Sequence, residues 1–209
     1  MPSRSSNQSR EKETAYHEAG HAVCAHAMDV PFYEISIVAD ESIHSAGHVG
    51  FAWGKSQVEN APTPLTLPCP HCDESLDTGS LASAFLTDAM MRNDADHAFN
   101  AIRILYAGGE AVKLLTGRRN LRGAASDYAQ IQEVIDESLF YWSDTTRKAM
   151  LSALRFEASD LLRKNWMAVT ALAEALLEQK SMSEADATKI VLMARKSKLL
   201  QAGRFYKVQ

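Results

Sequence analysis

His17-Glu18-Ala19-Gly20-His21 is where residue type and spacing in this 209-residue sequence most directly suggest chemistry. An α-helix turns by roughly 100° per residue, so two histidines four apart project from one face about one turn apart. Two imidazoles so placed can bind one Zn²⁺ at roughly 2.0–2.1 Å each. Glu18 is rotated off that line, free to take a proton from water rather than to hold metal. The chemistry implied is zinc-assisted hydrolysis. The alternative is a pair of surface or hydrogen-bonded core histidines with no ligand. Gly20 costs about 1 kcal/mol of helix propensity relative to Ala, which suits a place where another backbone or a ligand approaches closely.

A catalytic zinc normally takes three protein ligands and keeps one position open. The motif supplies two. His26, His44, His48, His97, Asp127, Glu133 and Asp136 are all of the right type for the third, and spacing alone does not choose among them.

The elements that must position these residues read as mostly α with a small β hairpin early on. A helix is expected from Glu11 to about Met28, ended by Asp29-Val30-Pro31. Phe32 to Val38 reads as a strand, with Tyr33, Ile35 and Ile37 on one face and Phe32, Glu34, Ser36 and Val38 on the other. His48 to Trp53 reads as a second strand with Val49, Phe51 and Trp53 alternating. Further helices are expected near Ser80–Arg92, Asp96–Leu115, Asp127–Phe140, Asp144–Lys164, Asn165–Lys180 and Glu184–Ser197. Asp144 and Ser183 suit N-caps, the latter with Asp186 three residues on. The expected organisation is a polar tail over 1–10, one domain over 11–200 with a Pro-rich insertion loop over 54–79, and a tail over 201–209.

Composition narrows the function class. Apolar residues make up 46%, enough for a buried core, and the net charge is -4. There is no basic stripe, so nucleic acid is not an expected partner. No stretch reaches the roughly 18 apolar residues of a membrane span, and the start lacks a secretory signal. Three cysteines do not complete a disulfide framework. A cytoplasmic protein is the default expectation. Cys69-Pro70-His71-Cys72 offers a second, smaller ligand group: Cys69, Cys72 and His71 could hold another zinc, form a redox pair, or lie in an inert loop. Lys113, Arg118, Arg119 and Arg122 form a basic run read as a solvated helix end rather than an anion site. Met167 to Leu177 is Leu/Ala-rich and reads as core or oligomer packing.

Thr14-Ala15-Tyr16-His17-Glu18-Ala19-Gly20-His21-Ala22-Val23 resembles the zinc-motif helix of FtsH-type ATP-dependent zinc peptidases. Ala107-Gly108-Gly109-Glu110-Ala111 resembles that family's A-G-G-R-A helix, and Gly123-Ala124-Ala125-Ser126-Asp127 its G-A-x-N/S-D segment. A late stretch, Ala171-Leu172-Ala173-Glu174-Ala175-Leu176-Leu177-Glu178, follows in the same order. The resemblance runs from Thr14 to about Val191. It implies a helical FtsH-like peptidase domain, Zn²⁺ as cofactor, Asp127 as third ligand beside His17 and His21, and Glu18 as the catalytic base. The substrate it implies is a polypeptide, flexible or already unfolded, because this sequence carries no G-x-x-x-x-G-K-[ST] loop with which to couple ATP to unfolding. A homo-oligomer and a separate ATPase partner are the associations it leaves open. Glu110 stands where the family typically has Arg, and the 54–79 segment looks like an insertion. Two other readings fit the same motif: an ImmA/IrrE-type regulator-cleaving peptidase, with another third ligand, and a zinc-bound adaptor that no longer hydrolyses.

Overall fold

A computed structural model describes residues 4–39, 46–51, 79–139 and 141–205. In chain order the elements are α1 (Arg4–Ala27), β1 (Phe32–Ser36), β2 (His48–Phe51), α2 (Gly79–Thr116), α3 (Ala125–Ser138), α4 (Asp144–Lys164), α5 (Trp166–Gln179), β3 (Ser181–Ser183) and α6 (Glu184–Phe205). The fold is mostly α with a small antiparallel sheet, as the periodicity predicts.

α1 is the central strut. Ala15, Ala19, Ala22 and Ala25 are buried along it, and their short side chains let neighbours come close. α2 comes closest: a Cβ on Gly20 would lie 2.7 Å from both the Ala107 carbonyl oxygen and the Ala111 Cβ. This is the close backbone approach that the Gly20 position suggests. α2 forms the wall between two cores. Ile104, Ala107 and Ala111 face the cluster built with α1, β1, α5 and α6 (Val23, Ile35, Leu172, Leu176, Val191). Ile102 and Leu105 face a second cluster made with α3 and α4 (Ile131, Ile135, Leu139, Leu154). Each fully buried Leu or Ile in these clusters contributes about 1.5–3 kcal/mol of transfer free energy.

α1 ends where expected. Asp29 takes φ 55, and Val30 N–H donates to the Ala25 carbonyl at 3.0 Å just before Pro31. Its start differs, since the helix begins at Arg4, inside the segment expected to be a tail. Nothing between Arg4 and Glu11 is a Gly or Pro, so the helix has no local reason to stop. α6 likewise reaches Phe205, into the tail expected over 201–209. The two helices expected on either side of residue 94 are one 38-residue helix. Asn93 and Asp94 are mediocre helix formers, costing well under about 1 kcal/mol each, and break nothing. Ser143, not Asp144, caps α4, its hydroxyl accepting from Thr146 N–H. Ser183 caps α6 as expected, accepting from Asp186 N–H and donating to the Asp186 carboxylate at 2.9 Å.

The sheet order is β2-β1-β3, all antiparallel. β3 is too short to show a two-residue period, and only its pairing with Glu34, Ile35 and Ser36 makes it a strand. The expected faces of β1 hold only in part. Register slips between Phe32 and Glu34 against β2, so Tyr33 is the extra residue of a β-bulge. Phe32 therefore turns inward with Ile35 and Ile37, while Tyr33 is 61% exposed. The Tyr33 ring lies over Gly50, where any Cβ would collide with it. Val49 and Phe51 pack against the core as their alternation suggests; Trp53 lies outside the described residues.

Candidate metal centre

His17 and His21 sit in the middle of α1, on the face turned toward α2 and α3, and both are buried. Asp127 comes from the first turn of α3. Its side chain is not spent on capping that helix, whose N-cap Ala124 makes no side-chain bond. The Asp127 carboxylate turns to the imidazoles instead, with Oδ2 at 3.1 Å from His17 Nε2 and 3.6 Å from His21 Nε2. The two Nε2 atoms are 3.0 Å apart. Three donor atoms from two helices 106 residues apart in sequence at their nearest ligands (His21 and Asp127) thus converge on one point.

The chemistry of this donor set suits a cation. Ligands bound to one tetrahedral cation at 2.0–2.2 Å are separated by roughly 3.3 Å, close to the separations here. His21 Nδ1–H donates to the Ile104 carbonyl at 2.7 Å. That bond turns Nε2 toward the centre, where its lone pair is presented whenever the ring is neutral, the outer-sphere support typical of a metal-bound histidine. Asp127 Oδ2 is buried, yet has no aligned hydrogen bond to any partner. A buried carboxylate oxygen in that condition is costly unless positive charge compensates it.

The electrostatics agree. Burial alone would lower the His21 imidazole, but the nearby Asp127 carboxylate, with help from Glu18 and the Ile104 carbonyl, raises it to about 9. Burial pushes Asp127 up, and the two histidines outweigh it, holding its carboxyl well below the usual range. The pocket therefore favours positive charge at its centre, whether a proton or a metal ion. Glu18 is 5% exposed; burial raises its carboxyl pKa, against the lowering pull of His17 and His21. A carboxylate raised in this way is a stronger base near neutral pH.

Two glycines make room. A Cβ on Gly108 would fall 2.4 Å from His21 Nε2 and 2.7 Å from His17 Nε2, so α2 presents bare backbone to the imidazoles. A Cβ on Gly47 would come within 2.9 Å of Glu18 Oε1, so the chain entering β2 lies directly against the Glu18 carboxylate. In the sequence the Gly108 block is a likeness alone; its spatial meaning needs α1 and α2 side by side.

Of the other residues considered for the third ligand, none described joins the group. His26 lies half-buried in the last turn of α1, while His97, Glu133 and Asp136 are exposed. His48 Nε2 bonds Glu34 Oε1 at 3.1 Å instead. His44 and the Cys69, His71 and Cys72 group lie outside the described residues. Cys24 is fully buried, and that burial pushes its thiol up to about 12, so it is inert packing.

The centre lies in the floor of a groove of about 950 Å³, walled by α1, by the approach to β2 and the strand itself, and by the turn leading into α3. Among the described residues β2 is an outer strand of the sheet. The chain matches no known family model, and no curated protein matches it. Its chemistry has to be read from the site. Among the described residues no helix is long and apolar enough to cross a membrane.

Proposed function

We propose that this chain is a zinc-dependent peptidase that hydrolyses peptide bonds in flexible or unfolded polypeptides without ATP. The observation that carries the reading is the meeting of His17, His21 and Asp127 in a buried, charge-compensating cluster, with Glu18 beside it and an open groove above. His17, His21 and Asp127 would hold the cation. When bound, zinc supplies Lewis acidity, bringing the pKa of water toward ~7 and polarising a carbonyl oxygen. Glu18 takes the proton of the attacking water and hands it to the leaving nitrogen. The Ile104 carbonyl keeps His21 in the tautomer that presents Nε2. β2 offers an extended substrate a main chain to pair with, which is why the reading favours flexible chains over folded ones. A cytoplasmic location is the default that goes with the same proposal, since three cysteines do not complete a disulfide framework.

The test is Glu18→Gln, with zinc content and cleavage of unfolded casein measured together. Zinc should remain near one per chain while the cleavage rate falls by at least about 100-fold. Retained zinc with unchanged proteolysis would remove Glu18 as base. A zinc-loaded native chain that cleaves nothing, with or without chelator, would turn the reading toward a non-hydrolytic adaptor.

A further inference from the structure

Beyond the centre, the groove carries charge. Arg10, Glu13, Thr14, His17, Glu18 and His21 all line it, the i, i+3, i+4, i+7 stripe of one face of α1. Arg10 is two turns before His17, about 10 Å along the helix axis. An extended chain spans that distance in about three residues. On the opposite wall, Asn120 Nδ2–H donates to Glu13 Oε2 at 3.0 Å. This bond holds the turn between α2 and α3 against α1, one helical turn from His17, and Arg122 of that turn lines the same groove.

Arg10 and Arg122 are exposed, and among the described residues neither guanidinium has a carboxylate partner. Arg103, Arg147, Arg155 and Arg163 each do. The acidic side chains of the groove are otherwise engaged: Asp127 and Glu18 at the centre, Glu13 by Asn120. The neutral Asn120 amide leaves the Glu13 charge in place, so among the described residues Arg10, Arg122 and Glu13 give that end of the groove one net positive charge, in a net acidic protein.

We propose that this end of the groove recognises an acidic side chain of the substrate about three residues from the scissile bond, with Arg10 and Arg122 as the specificity-determining residues. The inference rests on the peptidase reading above. It also revises the expectation for Arg122, which belongs to the groove as well as to a solvated helix end.

The experiment uses the full zinc-loaded chain and amidated, internally quenched peptides carrying Glu, Gln or Lys two to four residues from the cleaved bond, on either side. At low salt, kcat/KM for the best Glu peptide should exceed that of its Lys counterpart by about tenfold. The ratio should shrink as ionic strength rises. It should approach one in Arg10→Gln/Arg122→Gln and invert in Arg10→Glu/Arg122→Glu. Both positions are exposed, and circular dichroism checks that the variants fold. A native ratio within twofold of one, or a ratio the double variants leave unmoved, overturns the proposal while peptide cleavage itself upholds the peptidase. If no peptide is cut, the peptidase reading fails, and fluorescence anisotropy of the same peptides on Glu18→Gln decides the charge preference. Arginine-dependent binding of Glu peptides about tenfold tighter than Lys peptides sustains it; equal binding overturns it.

Discussion

A methyl group at position 108 would lie 2.4 Å from His21 Nε2, whereas one at position 109 would meet only the Ala124 Cβ at 3.5 Å, an ordinary contact. Neighbouring glycines on one helix thus have opposite roles. Gly108→Ala should displace the imidazoles, costing about 1–3 kcal/mol of stability and at least about tenfold in zinc affinity. Gly109→Ala should keep full zinc content and gain up to about 1 kcal/mol from helix propensity. Denaturant melts and zinc titration of the two variants check this, and equal behaviour would mean that the imidazoles do not sit against Gly108. The pair His17 and His21 could be found from spacing because both ligands lie within one turn of one helix. Gly108 could not, because its partner atoms, on His21 and His17, are 87 and 91 residues away in the chain.

At the scale of elements, Glu110 ties α2 to α4. It is 2% exposed, accepts from Arg155 Nε at 2.6 Å, and accepts from Lys113 Nζ at 2.9 Å. The Arg expected from the family resemblance is absent here, and an acid takes up the charge that α4 offers. Burial pushes the Glu110 carboxyl up, but the bonds from Lys113 and Arg155 outweigh it and bring it below its ordinary 4.5. A depressed carboxyl contributes stability that is fully present above about 4.5 and is lost as pH falls through the lower folded value. Glu110→Gln should therefore cost about 1–3 kcal/mol at neutral pH, with the difference from the native chain shrinking toward pH 3. Urea melts across that range measure it; a constant difference would show that the ion pairs do not set the acid sensitivity. The bulge at Tyr33 belongs to this scale too. Strict alternation would have turned Phe32 outward and Tyr33 inward; the extra residue reverses both, and no local pattern announces it.

For the whole molecule, the centre clips α1 to α3 through Asp127, across the boundary between the two cores. A metal that binds only the folded arrangement stabilises it by mass action, about 2.7 kcal/mol when free metal is one hundred times its Kd. For a chain of this size that corresponds to a rise in Tm of about 5–10 °C. Zinc should raise Tm by that amount, chelation should reverse it, and Asp127→Ala should abolish most of the shift. Thermal melts at controlled free zinc decide it; an undiminished shift in Asp127→Ala would take that residue out of the ligand set.

By itself the sequence determined the mostly α architecture, the helix that carries His17 and His21, the point where that helix ends, and the identity of the groups able to act as base and ligand. These follow from periodicity, propensity and spacing, all local properties. Spacing left seven side chains eligible to join the two histidines and the resemblance implied Asp127; the tertiary structure decided that, among the described residues, Asp127 is the one that meets them. It also decided that Asp127 spends its carboxylate on them rather than on capping α3, that Gly108 bares the backbone beside them, and that Arg10 and Arg122 share one groove. Each of those is a relation between atoms that packing brings together from distant parts of the chain, and no repeat within the sequence encodes such a distance.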